Sequence, residues 1–545
     1  MGKVQELKES VQEIKETVQQ EIRESEAGQQ IVEKSKKGFF HIVFGRTAVI
    51  VLLLLIQVAF LALVVLKLQE KAVYAYGFSL LLSAITVIIV INRPGSPEFK
   101  LAWMVPMTIF PVFGVLLYLF VELQVGVRIM NTRLIQVGKE MKPYLMQDAK
   151  TQEKLENEDK QMANLAYYVS DKGGFPVFDN SKVEYFPLGE DKFKALVEEL
   201  EKAQKFIFME YFIVAEGRMW NTILEILKRK VKEGVEVRFM YDGTCTVSLL
   251  PHSYPKKLEA YGIRCKVFNP IKPALSTTQN NRDHRKIVVI DGHTAFTGGI
   301  TLADEYINEK ERFGHWKDTA VMIKGEAVRS FTWMFLQIWD FDVKNENYDK
   351  YLNVKLPETE EKTEGYVLPY GDSPLDDENV GELVYTDILN TARDYVHIMT
   401  PYLILDHEMI TALTYAARRG VDVKIIMPGI PDKPYAFALG KTYYPELLRA
   451  GVKIYQYVPG FVHAKVFVSD DEKAVVGTIN LDYRSLYLHF ECAALMYKVK
   501  EIEKVEKDFQ ETLKQCREIT MEDYKNENMI TRFGGRILRL FAPLM

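Results

Sequence analysis

Apolar and polar positions divide this chain into three stretches of different rhythm. Val4, Leu7, Val11, Ile14 and Val18 alternate steps of three and four among Glu, Lys and Gln, a short heptad stripe. Over residues 1–45 such a stripe reads as a coiled coil joining copies of the chain, as a helix lying on a membrane, or as a solvated helix. Three apolar runs follow. Ala48–Leu66 is interrupted by Gln57 alone, Val73–Ile91 by Ser79, Ser83 and Thr86, and Leu101–Val121 contains Pro106, Pro111 and Gly114. Each is near the roughly 20 residues that a helix needs to cross a bilayer. Two prolines would kink the third run or make it re-entrant. Residues 46–122 are therefore expected to form a membrane anchor of two to three hydrophobic segments. Lys34, Lys36, Lys37 and Arg46 precede it, and Arg128, Arg133 and Lys139 follow. Three spans cannot put both basic flanks on one side.

From about residue 160 the apolar runs shorten and the pattern repeats. Phe206-Ile-Phe-Met-Glu-Tyr-Phe reads as a buried strand, Ile223–Lys232 as a helix, and Glu233-Gly-Val-Glu-Val-Arg-Phe-Met-Tyr as a second strand. Val396-His-Ile-Met-Thr-Pro-Tyr, a helix over Met409–Arg419 and Gly420-Val-Asp-Val-Lys-Ile-Ile-Met repeat that order. Strands alternating with helices predict an α/β fold of two similar halves, 160–350 and 383–545, with mainly parallel sheets flanked by helices. Between them, residues 351–382 are rich in Glu, Asp, Pro and Gly and read as a linker.

Composition narrows the classes. With 545 residues, 48% of them hydrophobic, the chain can form several units. A net charge of −5 argues against a nucleic-acid partner, which would favour a basic face. Cys245, Cys265, Cys492 and Cys516 are scattered, without the spacing of a metal site or a disulfide framework, and point to a reducing compartment.

The chemistry is concentrated in one motif that occurs twice. His284 and Lys286 sit two apart, Asp291 comes five after the lysine, and Gly298-Gly299 follows. His463 and Lys465, Asp470 and Gly477-Thr478-Ile-Asn480 repeat the same spacing, HxKx4Dx6G. A lone HxK is read most simply as an incidental polar face on a strand; two copies in matching surroundings are not. Residues two apart on a strand share a face, so each His and Lys can point together. Two imidazoles and two ammoniums around one point suit a phosphodiester. The lysines would neutralise its oxygens, one imidazole would attack phosphorus, and the other would protonate the leaving alkoxide. The small glycines would let backbone N–H groups approach the anion. A histidine nucleophile needs an acidic partner to fix its tautomer. Candidates are Glu491 in His489-Phe-Glu-Cys and Asp318 in His315-Trp-Lys-Asp, which line up only with gaps.

At these residues the chain resembles the phospholipase D superfamily and, more closely, bacterial cardiolipin synthases. Asn281-Arg-Asp-His-Arg-Lys-Ile-Val-Val-Ile-Asp-Gly and Thr297-Gly-Gly-Ile-Thr-Leu-Ala-Asp-Glu-Tyr are similar to the synthases' first motif. Phe461-Val-His-Ala-Lys and Val476-Gly-Thr-Ile-Asn-Leu-Asp-Tyr-Arg-Ser are similar to the second. Pro97-Glu-Phe-Lys-Leu-Ala-Trp resembles their membrane anchor, and the tail Arg536-Ile-Leu-Arg-Leu-Phe-Ala-Pro-Leu looks like theirs, so the likeness covers roughly residues 95–545. Thr301 departs from the asparagine of many relatives, which Asn480 keeps.

The resemblance implies a catalytic set of His284, Lys286, Asp291, His463, Lys465 and Asp470, the aspartates as structural members of the signature. Gly298, Gly299, Thr301, Gly477, Thr478, Asn480, Asp318 and Glu491 would bind phosphate or support the histidines. It implies a phosphatidyl-histidine on His284, passed to a second phosphatidylglycerol to give cardiolipin, with His463 as acid and then base. No metal, nucleotide or other cofactor is required. It also implies a multi-pass protein of a bacterial cell membrane with the catalytic part in the cytoplasm. The same site would serve a hydrolase or a transferase with another alcohol acceptor. A scaffold without activity would be marked by loss of a His or Lys, and all four are present.

Overall fold

Phe206–Tyr211 has six buried residues in a row, as a strand covered on both faces requires. It lies at the middle of a sheet in the computed structural model, which describes residues 72–122, 125–271, 280–343, 346–357, 363–376 and 378–544, with 52, 54–60 and 62. The N-terminal heptad stripe, and with it any contact between copies through it, lies outside the described residues, as does most of the first apolar run.

The described residues up to Glu122 form a unit of their own. Helix α1, Ala72–Ile91, carries no charged side chain. Its Val73–Ile91 stretch is the one helix, among the described residues, long and apolar enough to cross a bilayer. The third apolar run is not a single span. It breaks at Phe110 into α2, Pro97–Ile109, and α3, Pro111–Glu122. The two fold against each other: the Trp103 and Tyr118 rings lie 5.5 Å apart, and a Cβ on Gly114 would stand 2.5 Å from the Met107 Cα. Proline at the first position of α3 allows the sharp restart. The free N–H of Phe113 donates to Gln57 Oε1 at 3.0 Å, which satisfies an orphan donor of that turn.

The rest of the described chain forms a second unit with two large sheets and two two-stranded ones. The first half contributes β1 Ser181–Phe186, β2 Phe206–Tyr211, β3 Glu236–Asp242, β4 Arg264–Phe268, β5 Arg282–Asp283, β6 Lys286–Ile290, β7 Thr294–Gly298, β8 His315–Lys317 and β9 Ala320–Gly325. The second contributes β10 Tyr366–Asp372, β11 Tyr395–Met399, β12 Leu403–Ile404, β13 Asp422–Pro428, β14 Lys453–Tyr457, β15 Gly460–Val462, β16 Val466–Ser469, β17 Lys473–Gly477, β18 Leu481–Asp482, β19 His489–Tyr497 and β20 Cys516–Ile519. The strand orders are β1-β9-β7-β6-β2-β3-β4 and β10-β19-β17-β16-β11-β13-β14-β20.

Two expectations are corrected here. Along these orders, parallel pairing is confined to β2-β3-β4 and β11-β13-β14, and the other neighbours run antiparallel. The sheets are mixed rather than mainly parallel. The motif strands form hairpins, because Asp291 and Gly292, and likewise Asp470 and Asp471, take positive φ. The two consecutive left-handed residues are the central pair of a turn closed by the His293 N–H on the Ile290 carbonyl and the Glu472 N–H on the Ser469 carbonyl, within three-residue connections, and Asp-Gly is a sequence signal for such a turn. Secondly, the 351–382 segment is not all linker. Its Tyr366–Asp372 stretch is β10, paired antiparallel with β19, with Tyr366, Val367, Leu368 and Tyr370 buried.

The helix Arg218–Lys232 shows how the layers close. Met219, Trp220, Ile223, Leu224, Ile226 and Leu227 recur on one face and are buried, while Lys228, Arg229 and Lys230 of the last turns form salt bridges with Glu225, Glu201 and Glu233. Each large apolar side chain so buried contributes about 1.5–3 kcal/mol.

Candidate active site

Each HxK motif is reached through a short strand that leaves its own half. β5 pairs in parallel with the start of β19, Arg282 opposite His489 and Asp283 opposite Phe490. The N–H of His284 then donates to the Phe490 carbonyl at 2.9 Å. In the other half β15 pairs in parallel with β8, Phe461 opposite Trp316 and Val462 opposite Lys317. The N–H of His463 donates to the Lys317 carbonyl at 2.7 Å. Each histidine is thus carried to the residue after its pairing partner, and in both cases that region holds a carboxylate.

His284 Nδ1 lies 2.8 Å from Glu491 Oε1, and His463 Nδ1 lies 2.7 Å from Asp318 Oδ2. The gaps seen in the linear comparison vanish in the sheets. Ala320 pairs with Gly298 and Ala493 pairs with Gly477. Asp318 and Glu491 stand two residues ahead of these equivalent positions. With each carboxylate accepting from Nδ1–H, the lone pair is left on Nε2. Thr478 Oγ1 also donates to Glu491 Oε2, and the Thr319 N–H donates to Asp318 Oδ1 at 2.8 Å.

The two lysines are buried and each ammonium donates to the carbonyl of the histidine two residues before it. Burial pushes Lys286 down to about 8 and Lys465 down to about 7, against the pull of Glu491 and Asp318. Burial also drives both histidines well below the usual range, and for His463 the ammoniums of Lys465, Lys286 and Lys433 add to it. Lys286, of the first half, therefore acts on the histidine of the second. The carboxylates diverge. Burial lifts Asp318 to about 6. It would lift Glu491 too, but the hydrogen-bonded His284, with His489 and Lys286, outweighs it and holds Glu491 well below the usual carboxylate range.

Not every expected residue stands at this point. Asp291 lies at the far end of β6 and accepts from the N–H groups of Gln204, Lys205 and Phe206 at 2.7, 2.6 and 2.9 Å. Asp470 accepts from Arg393, Asp394 and Tyr395 in the same way at 2.8, 2.9 and 2.9 Å. Each ties the hairpin turn to the start of the neighbouring strand, β2 or β11, and neither reaches the imidazoles. The glycines differ from expectation as well. The N–H groups of Gly299 and Gly477 donate to the Thr319 and Lys465 carbonyls, so they are not free to cradle an anion. Small size is required for another reason. A Cβ on Gly299 would lie 2.0 Å from Asp318 Oδ1, and one on Gly477 2.4 Å from the Ala493 Cβ. Gly298, at φ +146, would meet the Thr319 carbonyl at 2.3 Å. The glycines let the carboxylate strands approach. Thr301 is buried, and its Oγ1 has no hydrogen-bond partner among the described residues; the nearby Tyr306 ring lies 5.5 Å from that of His463. Asn480 is buried, and its Oδ1 has no hydrogen-bond partner among the described residues.

Sequence reasoning missed His489. Its ring lies 5.5 Å from that of His284, its Nδ1 is 3.7 Å from Glu491 Oε1, and both ring nitrogens are buried without a hydrogen bond among the described residues. Alternation along β19 was the available signal, since His489 and Glu491 are two apart. Also missed was the buried Arg285 between the two catalytic-motif residues. Its Nε donates to Glu210 at 2.7 Å and lies 3.3 Å from Asp283, which neutralise it. The ligand atoms of His284, His489 and Glu491 fall within 4.8 Å of one another. Glu491 accepts from both His284 and Thr478.

A family model described as cardiolipin synthase, PLD-like domain, matches residues 196–339 and 385–513, and one described as phospholipase D-nuclease N-terminal matches residues 81–122. An uncharacterized protein of Streptococcus mutans is 54% identical over 460 residues, 84% of this chain and 99% of that one. Cardiolipin synthase 2 of Bacillus anthracis is 35% identical over 466 residues, 84% of this chain and 89% of its own. The crystal structure of a phosphatidylserine synthase from Haemophilus influenzae has the same fold, with a TM-score of 0.52 at 15% identity over 70% of this chain and 98% of that one.

Proposed function

Since this chain belongs to the cardiolipin synthase family of the phospholipase D superfamily, we propose that it transfers a phosphatidyl group from one phosphatidylglycerol to another, releasing glycerol. The observation that carries the reading is the pair of buried imidazoles, each oriented through Nδ1 by a carboxylate and each accompanied by a buried ammonium.

His284 is the nucleophile in this account. Its Nε2 attacks phosphorus, and the bond from phosphorus to the headgroup glycerol oxygen breaks. His463 gives that oxygen a proton, so glycerol leaves and a phosphatidyl group remains on His284. His463, now neutral, takes the proton from a headgroup hydroxyl of the second phosphatidylglycerol. That oxygen attacks phosphorus, the phosphorus–nitrogen bond breaks, and cardiolipin and free His284 result. Two observations favour this assignment. Glu491 is held ionised, which suits a partner for the imidazolium that forms on covalent attack. His463 lies in the field of three ammoniums, and a bound phosphate would offset that field and let it hold a proton. Lys286 and Lys465 neutralise the phosphate oxygens as charge builds in each transition state. Asp291 and Asp470 act through the fold, by fixing the hairpins that carry the motifs.

The lipid substrates call for a membrane setting. We place the chain in a bacterial cell membrane, with the first two apolar runs as spans and the folded third run re-entrant. Two spans would put Lys34, Lys36, Lys37 and Arg46 on the same side as Arg128, Arg133 and Lys139, as the excess of cytoplasmic basic residues demands. The catalytic unit would then lie in the cytoplasm, in keeping with its free thiols.

Full-length protein incubated with phosphatidylglycerol in detergent should give cardiolipin and glycerol in equal amounts. Phosphatidic acid without cardiolipin would identify water as the acceptor and sink the synthase reading.

A further inference from the structure

The helix Met529–Arg539 turns its apolar side chains outward. Met529 is 82% exposed, Ile530 81% and Phe533 67%, with Ile537, Leu540 and Phe541 also exposed. At 100° per residue these six fall within an arc of about 120°. Arg532, Arg536 and Arg539 fall together along one edge of that arc. The opposite side is the one that meets the protein. Gly535 is buried there, and a Cβ on it would lie 2.5 Å from the Ala438 carbonyl. Six large apolar side chains in water on one helix face need an occupant, since exposed patches of that size mark a contact surface.

We propose that this helix lies in the plane of an anionic lipid surface, its apolar arc among the acyl chains and its arginines at the headgroups. Three features select a bilayer over another protein surface. Eleven residues of helix are about 16 Å long, too short to cross the hydrocarbon core and suited to lying on it. The arginine edge matches a negatively charged headgroup layer. The helix it is seated on, Pro434–Gly440, begins at Lys433, whose ammonium acts on His463. Exposed Ile430 and Tyr435 flank that lysine. The contact would hold the mouth of the site against the headgroups of the lipids it uses. In that respect the inference rests on the lipid-substrate reading, although the placement of the helix is tested without reference to any product.

The test uses the full chain reconstituted in bilayers, with a nitroxide label at Phe533→Cys or Ile537→Cys. In bilayers containing phosphatidylglycerol, both labels should be open to oxygen and shielded from a water-soluble nickel chelate. In phosphatidylcholine alone that shielding should weaken. Labels equally open to the chelate in both bilayers would overturn the proposal. So would spin–spin broadening between labels on two copies, which would make a second copy the occupant. A second variant, Phe533→Asp with Ile537→Asp, reads the consequence. Its kcat/KM on phosphatidylglycerol bilayers should fall on the order of tenfold, with turnover of short-chain lipid dispersed in detergent unchanged. Equal losses on both substrates would mean that the helix serves the fold, and would contradict the proposal.

Discussion

Asp318, carried by the first half, accepts at 2.7 Å from the Nδ1 of His463, carried by the second. Glu491 returns the relationship to His284 at 2.8 Å. Neither half alone holds a complete histidine–carboxylate pair, which accounts for two copies of the motif forming one site.

Glu491→Gln keeps the shape of the side chain but no longer selects the His284 tautomer with Nε2 free. The overall rate is expected to fall by about 10³–10⁴, as for loss of the carboxylate in other histidine–carboxylate pairs, and no phosphatidyl-enzyme should accumulate. Asp318→Asn disturbs the acid–base histidine instead. Because His463 serves as acid in the first step and base in the second, rapid-quench measurements should find an intermediate that still forms, with its formation and its breakdown both slowed. Equal behaviour of the two variants would remove the distinction drawn between the histidines.

Asp291→Ala removes three backbone hydrogen bonds from the start of β2 and leaves a non-glycine residue at φ +53 without its side-chain support. Hydrogen bonds to a charged acceptor are each worth about 1.5–3 kcal/mol. Gln204 and Lys205 are exposed, so water replaces their lost partner, and a net loss of about 2–4 kcal/mol in unfolding free energy is expected, with turnover of the folded fraction near that of the parent. A hundredfold loss of turnover at unchanged stability would place Asp291 in the chemistry after all.

How much of this was legible differs by residue. His284, Lys286, His463 and Lys465 could be read directly, because strand alternation is a local rule and the repeat doubled the signal. Glu491 and Asp318 could be named but not assigned to partners. The pairing crosses halves, and strand register between distant segments leaves no local trace. Asp291-Gly292 signals a hairpin, but the βαβ pattern on either side masks it and predicts mainly parallel sheets. β10 was hidden because the acidic, Gly- and Pro-containing residues around Tyr366–Asp372 are loop-like, although the strand itself is apolar on its buried face. The break at Phe110 was foreshadowed by Pro106 and Pro111, but that α2 and α3 fold together depends on Gly114, whose role is tertiary.

Lys465→Met should abolish turnover and stabilise the fold. The buried lysine titrates at about 7, against about 10.4 in an unfolded chain. Between those values the unfolded state binds more protons, so stability rises with pH across that window. Below about pH 7 both states are protonated and the folded protein bears the full burden of the buried charge. The variant's advantage, about 1–3 kcal/mol, should be largest there and fade towards pH 10. Denaturant melts at about pH 6.5, below that window, and about pH 9.5, towards its upper end, would show it. A variant less stable at the lower pH would contradict the burial argument.

The same lysines set the alkaline limit of the reaction. In the free enzyme Lys286 and Lys465 lose their protons near 8 and 7. kcat/KM should decline as pH rises through that range, because it reports the free enzyme. kcat should hold to higher pH, since bound phosphate favours the charged ammoniums. Coincident profiles for kcat and kcat/KM would indicate another ionisation.

The central claim is that a phosphatidyl group passes through His284. Full-length protein should be mixed rapidly with phosphatidylglycerol labelled at phosphorus, quenched in alkali and mapped by peptide. The account predicts label on the peptide containing His284, appearing with a matching burst of glycerol and absent from His284→Ala. Label on the His463 peptide, or cardiolipin formed with no labelled peptide at any time, would contradict it.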